Sequence, residues 1–226
     1  MFELSPRLYT VAHMADISRK TVDIGTDHAY LPAYMITFLH SGNILACDIG
    51  EKPLENALNT LKTYRLEDKI ELRLSDGLKN VLPEEAEQIT ICGIGGTLIR
   101  DILNGAPWVK KNGMRLVLQP MTHSEDVRRY LCENGFIITE ERCVEDAGRI
   151  YCCIAAEYSG GNAAYEEGYY YFGTLLNEKG MAEKYILKQY DRVQKRAEAL
   201  KEAQRYPEEE KLLRDVLAYY GRMKNE

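Results

Sequence analysis

The strongest constraint on this chain is the order of its hydrophobic segments. Short apolar runs alternate with longer stretches of helical spacing from Thr21 onward. Residues 21–24, 43–48, 69–74, 88–92 and 114–118 read as strands, and between them the apolar stretch to Leu39 and residues 53–64 read as helices. A further helix over 124–134 ends at Gly135, a good helix stop. Strands that alternate with helices need crossover connections, which predicts a parallel, doubly wound sheet of the α/β class. Residues 136–141 and 149–157 then supply two strands with only a short loop between them, which predicts an antiparallel hairpin at the sheet edge.

Upstream, Leu4, Leu8, Val11 and Ala12 recur at helical spacing, with Ser5 and Pro6 placed as N-cap and first-turn residue. Downstream, Ser159-Gly160-Gly161-Asn162 forms a linker, after which the composition changes. Tyr165, Tyr169, Phe172 and Leu176 make a heptad-like seam, and Ile186, Tyr190, Val193, Ala197 and Leu200 continue it after Gly180. The expectation is an antiparallel helical hairpin packed by aromatics, turning at 177–180, with Pro207 opening a last helix. Two domains follow: a Rossmann-like domain over residues 1–160 and a coiled-coil-like helical domain over 161–226.

Hydrophobic residues make up 45% and charged residues 28%, as in ordinary soluble globular proteins. No apolar run approaches the roughly 20 residues of a membrane helix, and the first ten residues do not read as a secretory leader. A cytoplasmic protein with no membrane contact is expected, with a monomer favoured. The six cysteines offer no CxxC pair, so neither a zinc site nor a disulfide framework is expected, and Cys152 and Cys153 should point to opposite faces of a strand. Net charge is −6, but from Gly161 onward acidic and basic residues balance at 12 each. The acidic total excludes a wholly basic nucleic-acid binder and leaves room for a local basic groove.

In an open α/β sheet, ligands sit beyond the carboxyl ends of the strands. Every unusual cluster here falls at such an end: Asp23 and Gly25, Asp48, Asp76-Gly77, Gly93 to Gly96, and Gln119-Pro120. The first turn is not GxGxxG, because Asp27 and His28 stand where a pyrophosphate would want glycines, which disfavours NAD. Seven strands with the last reversed resemble the layout of Rossmann-like methyltransferases. S-adenosylmethionine fits the same positions. Gly25 lets the backbone approach its methionyl part, Asp48 can accept the ribose hydroxyls, and Asp76 the adenine amino group. Each acid could equally be a simple turn residue.

The run Asp23-Ile24-Gly25-Thr26-Asp27-His28-Ala29-Tyr30-Leu31-Pro32 resembles the TrmK-type tRNA (adenine-22-N1)-methyltransferases. So do Leu4-Ser5-Pro6-Arg7-Leu8, Gly93-Ile94-Gly95-Gly96 and Leu116-Val117-Leu118-Gln119-Pro120. The family often carries Met at the Ile94 position. The resemblance implies a Rossmann-like catalytic domain, a coiled-coil-like C-terminal domain, S-adenosylmethionine as methyl donor and tRNA as substrate. Asp23, Gly25, Asp48, Ile49, Asp76, Gly77, Gly93, Ile94 and Gly95 are then expected to hold the cofactor. His28 and Tyr30 would stack on or wall the target base, and Asp27 or the Gly93–Gly96 loop would hold its amine. Arg7, Gly96, Gln119, Pro120 and Arg128 are expected on the substrate, with Arg100, Lys110, Lys111, Arg115, Arg129, Lys188, Arg192, Lys195 and Arg196 as further phosphate contacts. The alternatives are a methyltransferase of the same fold acting elsewhere, and a non-catalytic RNA-binding protein.

Overall fold

A computed structural model describes residues 3–224. A helix, α1 (Pro6–Met14), leads into β1 (Thr21–Ile24), and the alternation continues as α2 (Tyr30–Leu39), β2 (Ile44–Asp48), α3 (Glu51–Tyr64) and β3 (Ile70–Leu74). The second half adds β4 (Gln88–Ile94), α4 (Gly96–Asn104), β5 (Arg115–Pro120), α5 (Ser124–Glu133), β6 (Phe136–Asp146) and β7 (Arg149–Tyr158). The sheet order is β3-β2-β1-β4-β5-β7-β6. Strands β1 to β5 pair in parallel, and β7 runs antiparallel to both β5 and β6. All four residues of β1 are buried because helices cover both faces, and its two polar side chains, Thr21 and Asp23, accept hydrogen bonds from Gln88 and Thr90 of β4. Cys152 packs on one face of the sheet and Cys153 on the other, as their adjacency predicts.

The closing hairpin differs from expectation in length. Strand β6 runs on to Asp146, and the connection is the two-residue turn Ala147-Gly148 with φ of 48° and 73°. Positive φ at both positions is the turn that suits the twist of paired strands. Arg142 and Glu145, past the expected strand end at residue 141, look like loop residues in the sequence, yet charges are the ordinary guard of an edge strand.

The helical part is also arranged differently. The segment that opens it is a six-residue helix, α6 (Glu167–Phe172), continued by a 3-10 turn over Gly173–Asn177. The antiparallel hairpin is built instead from α7 (Met181–Ala203) and α8 (Pro207–Lys224). Ile186, Val193, Ala197 and Leu200 of the expected seam are buried against Leu213 and Val216. The aromatic segment was expected to be one arm of the hairpin because its period continues across Gly180. It packs instead on α5 and α8 as a wedge.

One apolar cluster runs from Ile89, Leu116 and Ile154 of the sheet through Val127 and Leu131 of α5 to Phe172, Leu175, Ile186 and Val216. The helices therefore share the core of the sheet. Beside it lies a fully buried ion pair, Arg128 to Glu141 at 2.7 Å, with both side chains at 0% exposure. Arg128 also donates to the carbonyl oxygens of Tyr170 and Tyr171, and Glu141 accepts from the amide and hydroxyl of Thr174. This cluster joins α5, β6, α6 and the 3-10 turn. Among the described residues no helix is long and apolar enough to cross a membrane.

Candidate functional site

Strand order reverses between β1 and β4, so a crevice opens at their carboxyl ends, the usual ligand position of such sheets. The turn after β1 is held to its neighbour: the amides of Gly25 and Thr26 both donate to the Cys47 carbonyl at the end of β2. Gly25 has φ +75°, and nothing lies within 4 Å of where a Cβ would stand. Only glycine takes that backbone cheaply, and the room above it is what an extended ligand chain needs. Asp27 and Ala29 are also left-handed, at φ 43° and 54°, each a conformation costing of order 1–3 kcal/mol. Strain of this kind concentrates where a loop must hold one shape. Below, the Thr26 hydroxyl is buried beside the Asp23 carboxylate.

Two carboxylates border the turn. Asp23 is 4% exposed and accepts from the Thr90 hydroxyl of β4 at 2.6 Å. Burial pushes its pKa up to about 6, the nearby charge of Asp48 adding to the rise and the Thr90 hydrogen bond opposing it. Asp48 accepts from the amides of Gly50 at 2.9 Å and Asp27 at 3.3 Å, so it braces its own loop against the first turn. Next to it Ile49 is 69% exposed, an apolar side chain held up at the rim where a flat ring can lie on it. Asp76 sits on the far side, paired with Lys79 at the surface, and Gly77 follows at φ +58° against Ile102.

The opposite wall is the loop after β4. Gln119 is fully buried at the end of β5, and its Oε1 accepts from the Gly93 amide at 3.2 Å and from Arg7 Nη1 at 3.1 Å. Arg7 also pairs with Asp146 at the end of β6 at 3.2 Å. The first helix is thereby pinned over Gly93, with Ile94 and Gly95 half-buried beside it. On the other flank of the β1 turn, His28 and Tyr30 stack with ring centroids 5.1 Å apart and planes 7° apart. His28 Nε2 lies 3.7 Å from Asp27. The pair forms one wall of a cavity of about 480 Å³ whose other wall is α3.

Residues 4–154 match the family model described as a methyltransferase domain. The tRNA (adenine(22)-N(1))-methyltransferase of Bacillus subtilis (strain 168) is 34% identical over 164 residues, which span 73% of this chain and 69% of that protein. The chain belongs to the tRNA (adenine(22)-N(1))-methyltransferase family. The crystal structure of the B. subtilis m1A22 tRNA methyltransferase TrmK superposes with a TM-score of 0.84 at 26% identity, covering 100% of this chain and 99% of that one. TrmK of M. capricolum, solved in complex with the cofactor product S-adenosyl-homocysteine, gives 0.79 at 26% identity, covering 97% and 99%.

Within this family frame the expected site residues divide clearly. Asp23, Gly25, Asp48, Ile49, Gly93, Ile94 and Gly95 surround the crevice, with Asp76 and Gly77 at its outer rim and Asp27, His28 and Tyr30 on its flank. The substrate assignments need correction. Arg128 cannot reach a phosphate, because it is wholly enclosed with Glu141. Gly96 is buried at the start of α4, its amide spent on the Thr122 carbonyl, and a Cβ there would stand 2.1 Å from the His123 carbonyl oxygen. It is glycine for packing. Gln119 and Pro120 are buried too, and Gln119 positions Arg7 and Gly93 from behind. Arg7 is 26% exposed at the rim but tied to Asp146 and Gln119. Among the further basic residues, Arg115 is anchored on Glu157 and the Met14 carbonyl, and Arg129 on Glu167. Arg100, Arg192 and Arg196 lie in half-exposed ion pairs that a phosphate can displace. Thr90 and Thr26 were missed, since a threonine in a buried strand or turn carries no signal of the carboxylate it faces.

Proposed function

We propose that this protein transfers the methyl group of S-adenosylmethionine to N1 of adenine 22 in tRNA. The observation that carries the reading is the open, left-handed Gly25 turn at the strand-order switch, flanked by Asp48 and the Gly93 loop, in a chain of this family. The residues present fit the cofactor. The room over Gly25 suits its methionyl chain, Asp48 and exposed Ile49 its ribose and adenine, and the buried carboxyl of Asp23 its polar end. When bound, the cofactor supplies an electrophilic methyl group on a sulfonium.

Adenine N1 carries a lone pair at neutral pH, so its attack needs no strong general base. What the chain must supply is alignment, which is worth several kcal/mol of barrier when the reacting atoms are held in contact. N1 lies on the Watson–Crick edge, so the adenine must leave its stack. His28 and Tyr30 present a flat wall to it, and Asp27 an acceptor for its exocyclic amine. Strained backbone at Asp27 and Ala29 keeps that wall in place. The helical residues 161–226 offer the half-paired arginines of α7 to the rest of the tRNA.

The test is incubation of the full-length chain with unmodified tRNA and methyl-labelled S-adenosylmethionine, followed by nucleoside mapping. Label is expected on N1 of adenine 22, and label on any other atom or position overturns the assignment. Truncation before residue 161 is a poor test of the tail, because Phe172, Leu175 and Ile186 fill the core of the sheet and residues 170–174 seal the Arg128–Glu141 pair.

A further inference from the structure

The cavity between the His28–Tyr30 stack and α3 is not lined by Gly25, Asp48 or Gly93, so it lies beside the crevice rather than in it. Its α3 wall carries Asn56, Asn59 and Thr63 at helical spacing, with Thr60 and the ring of Tyr64 beside them. These positions run along α3 toward its C-terminal end, away from Asp48 at the end of β2. Among the described residues neither asparagine amide makes a side-chain hydrogen bond, and each offers two donors and an acceptor. The Thr63 hydroxyl donates back to the Asn59 carbonyl at 2.8 Å, which leaves its oxygen facing outward as an acceptor.

The lining selects a class of ligand. Among the described residues its one carboxylate, Glu3, repels phosphate, and no lysine or arginine lines it to hold one. The polar groups are too many for an aliphatic chain. Two parallel rings on one side and neutral amides on the other match a nucleobase, which has a flat face and an edge of mixed donors and acceptors. At about 480 Å³ the space admits one nucleoside-sized group. We propose that this cavity receives the base of an unpaired nucleotide next to the methylated adenine, read along its edge by Asn56 and Asn59. The proposal rests on tRNA being the substrate. The stacked His28–Tyr30 pair then stands between the two bases, the reacting adenine against one outer face and its neighbour against the other.

The experiment uses the full chain with saturating S-adenosylmethionine and unmodified tRNA, comparing wild type with Asn56→Ala/Asn59→Ala. Alanine favours helix, so α3 should persist, and circular dichroism checks it. KM for tRNA is expected to rise roughly 5- to 150-fold, the range of a good base contact, with kcat and cofactor Kd unchanged. A tRNA made abasic at one nucleotide flanking the target should lose a similar factor with wild type and little more with the variant. An unchanged KM, or equal losses from the abasic tRNA in both proteins, would overturn the proposal while wild-type methylation still upheld the substrate reading. Weakened cofactor binding in the variant would instead place the cavity in the cofactor site. If wild type methylates no adenine N1 in tRNA, both readings fall.

Discussion

The buried carboxyl of Asp23 makes the clearest quantitative expectation. Its pKa rises from 3.8 to about 6 because burial disfavours the charge, a shift of roughly 3 kcal/mol between the two protonation states. In the window from about pH 4 to pH 6 the folded chain keeps a proton that the unfolded chain has lost. The raised value therefore favours the folded state below about pH 4, and that contribution is lost as pH rises through about 6. Asp23→Asn removes the titration while keeping an acceptor for Thr90. Urea unfolding from pH 4 to 7 should show the stability of wild type falling, relative to Asp23→Asn, by up to about 3 kcal/mol. The cationic groups of S-adenosylmethionine favour the ionised carboxylate, so cofactor affinity by calorimetry should strengthen by about tenfold per unit as pH rises toward 6, then level off. Parallel stability curves for the two proteins would refute the burial argument. A cofactor Kd flat from pH 5 to 7.5 would refute the proposed contact between Asp23 and the bound cofactor.

Arg128→Met leaves Glu141 charged and enclosed, and should cost about 3–5 kcal/mol in thermal or urea unfolding. Arg128→Met/Glu141→Leu should recover much of that loss, and no recovery would mean that the hydrogen bonds to Tyr170, Tyr171 and Thr174 matter more than the charge. Binding of tRNA to half-exposed arginines such as Arg192 and Arg196 should weaken steeply between 50 and 200 mM salt, because counterions are released on binding; filter binding that ignores salt would sink the tRNA reading. His28→Ala should lower turnover on tRNA with little change in cofactor Kd, whereas Asp23→Ala should abolish cofactor binding, and equal losses of cofactor affinity in both would show their roles to be wrongly divided.

The sheet and the crevice were legible from the chain alone because both rest on local signals. Buried parallel strands must be apolar along their length, and a turn that must adopt φ +75° calls for glycine, as at Gly25. A strand such as Ile44–Asp48 and the acid that ends it can therefore be read without knowing what lies beside them. Other features depend on partners distant in sequence. Arg128 looks like a surface arginine until Glu141 and the carbonyls of α6 close around it. Gly96 looks like part of a ligand loop until the His123 carbonyl is found where its Cβ would go. The aromatic period across Gly180 is real, yet whether Tyr169 and Phe172 form one arm of a hairpin or a wedge depends on the space left between α5 and α8. Periodicity states which face of a helix is apolar, and only the tertiary structure decides what covers it. For the turn at Asp27 and His28 the same division holds: its shape is written in the residues, while its position between the crevice and the α3 cavity arises from the packing of the helices.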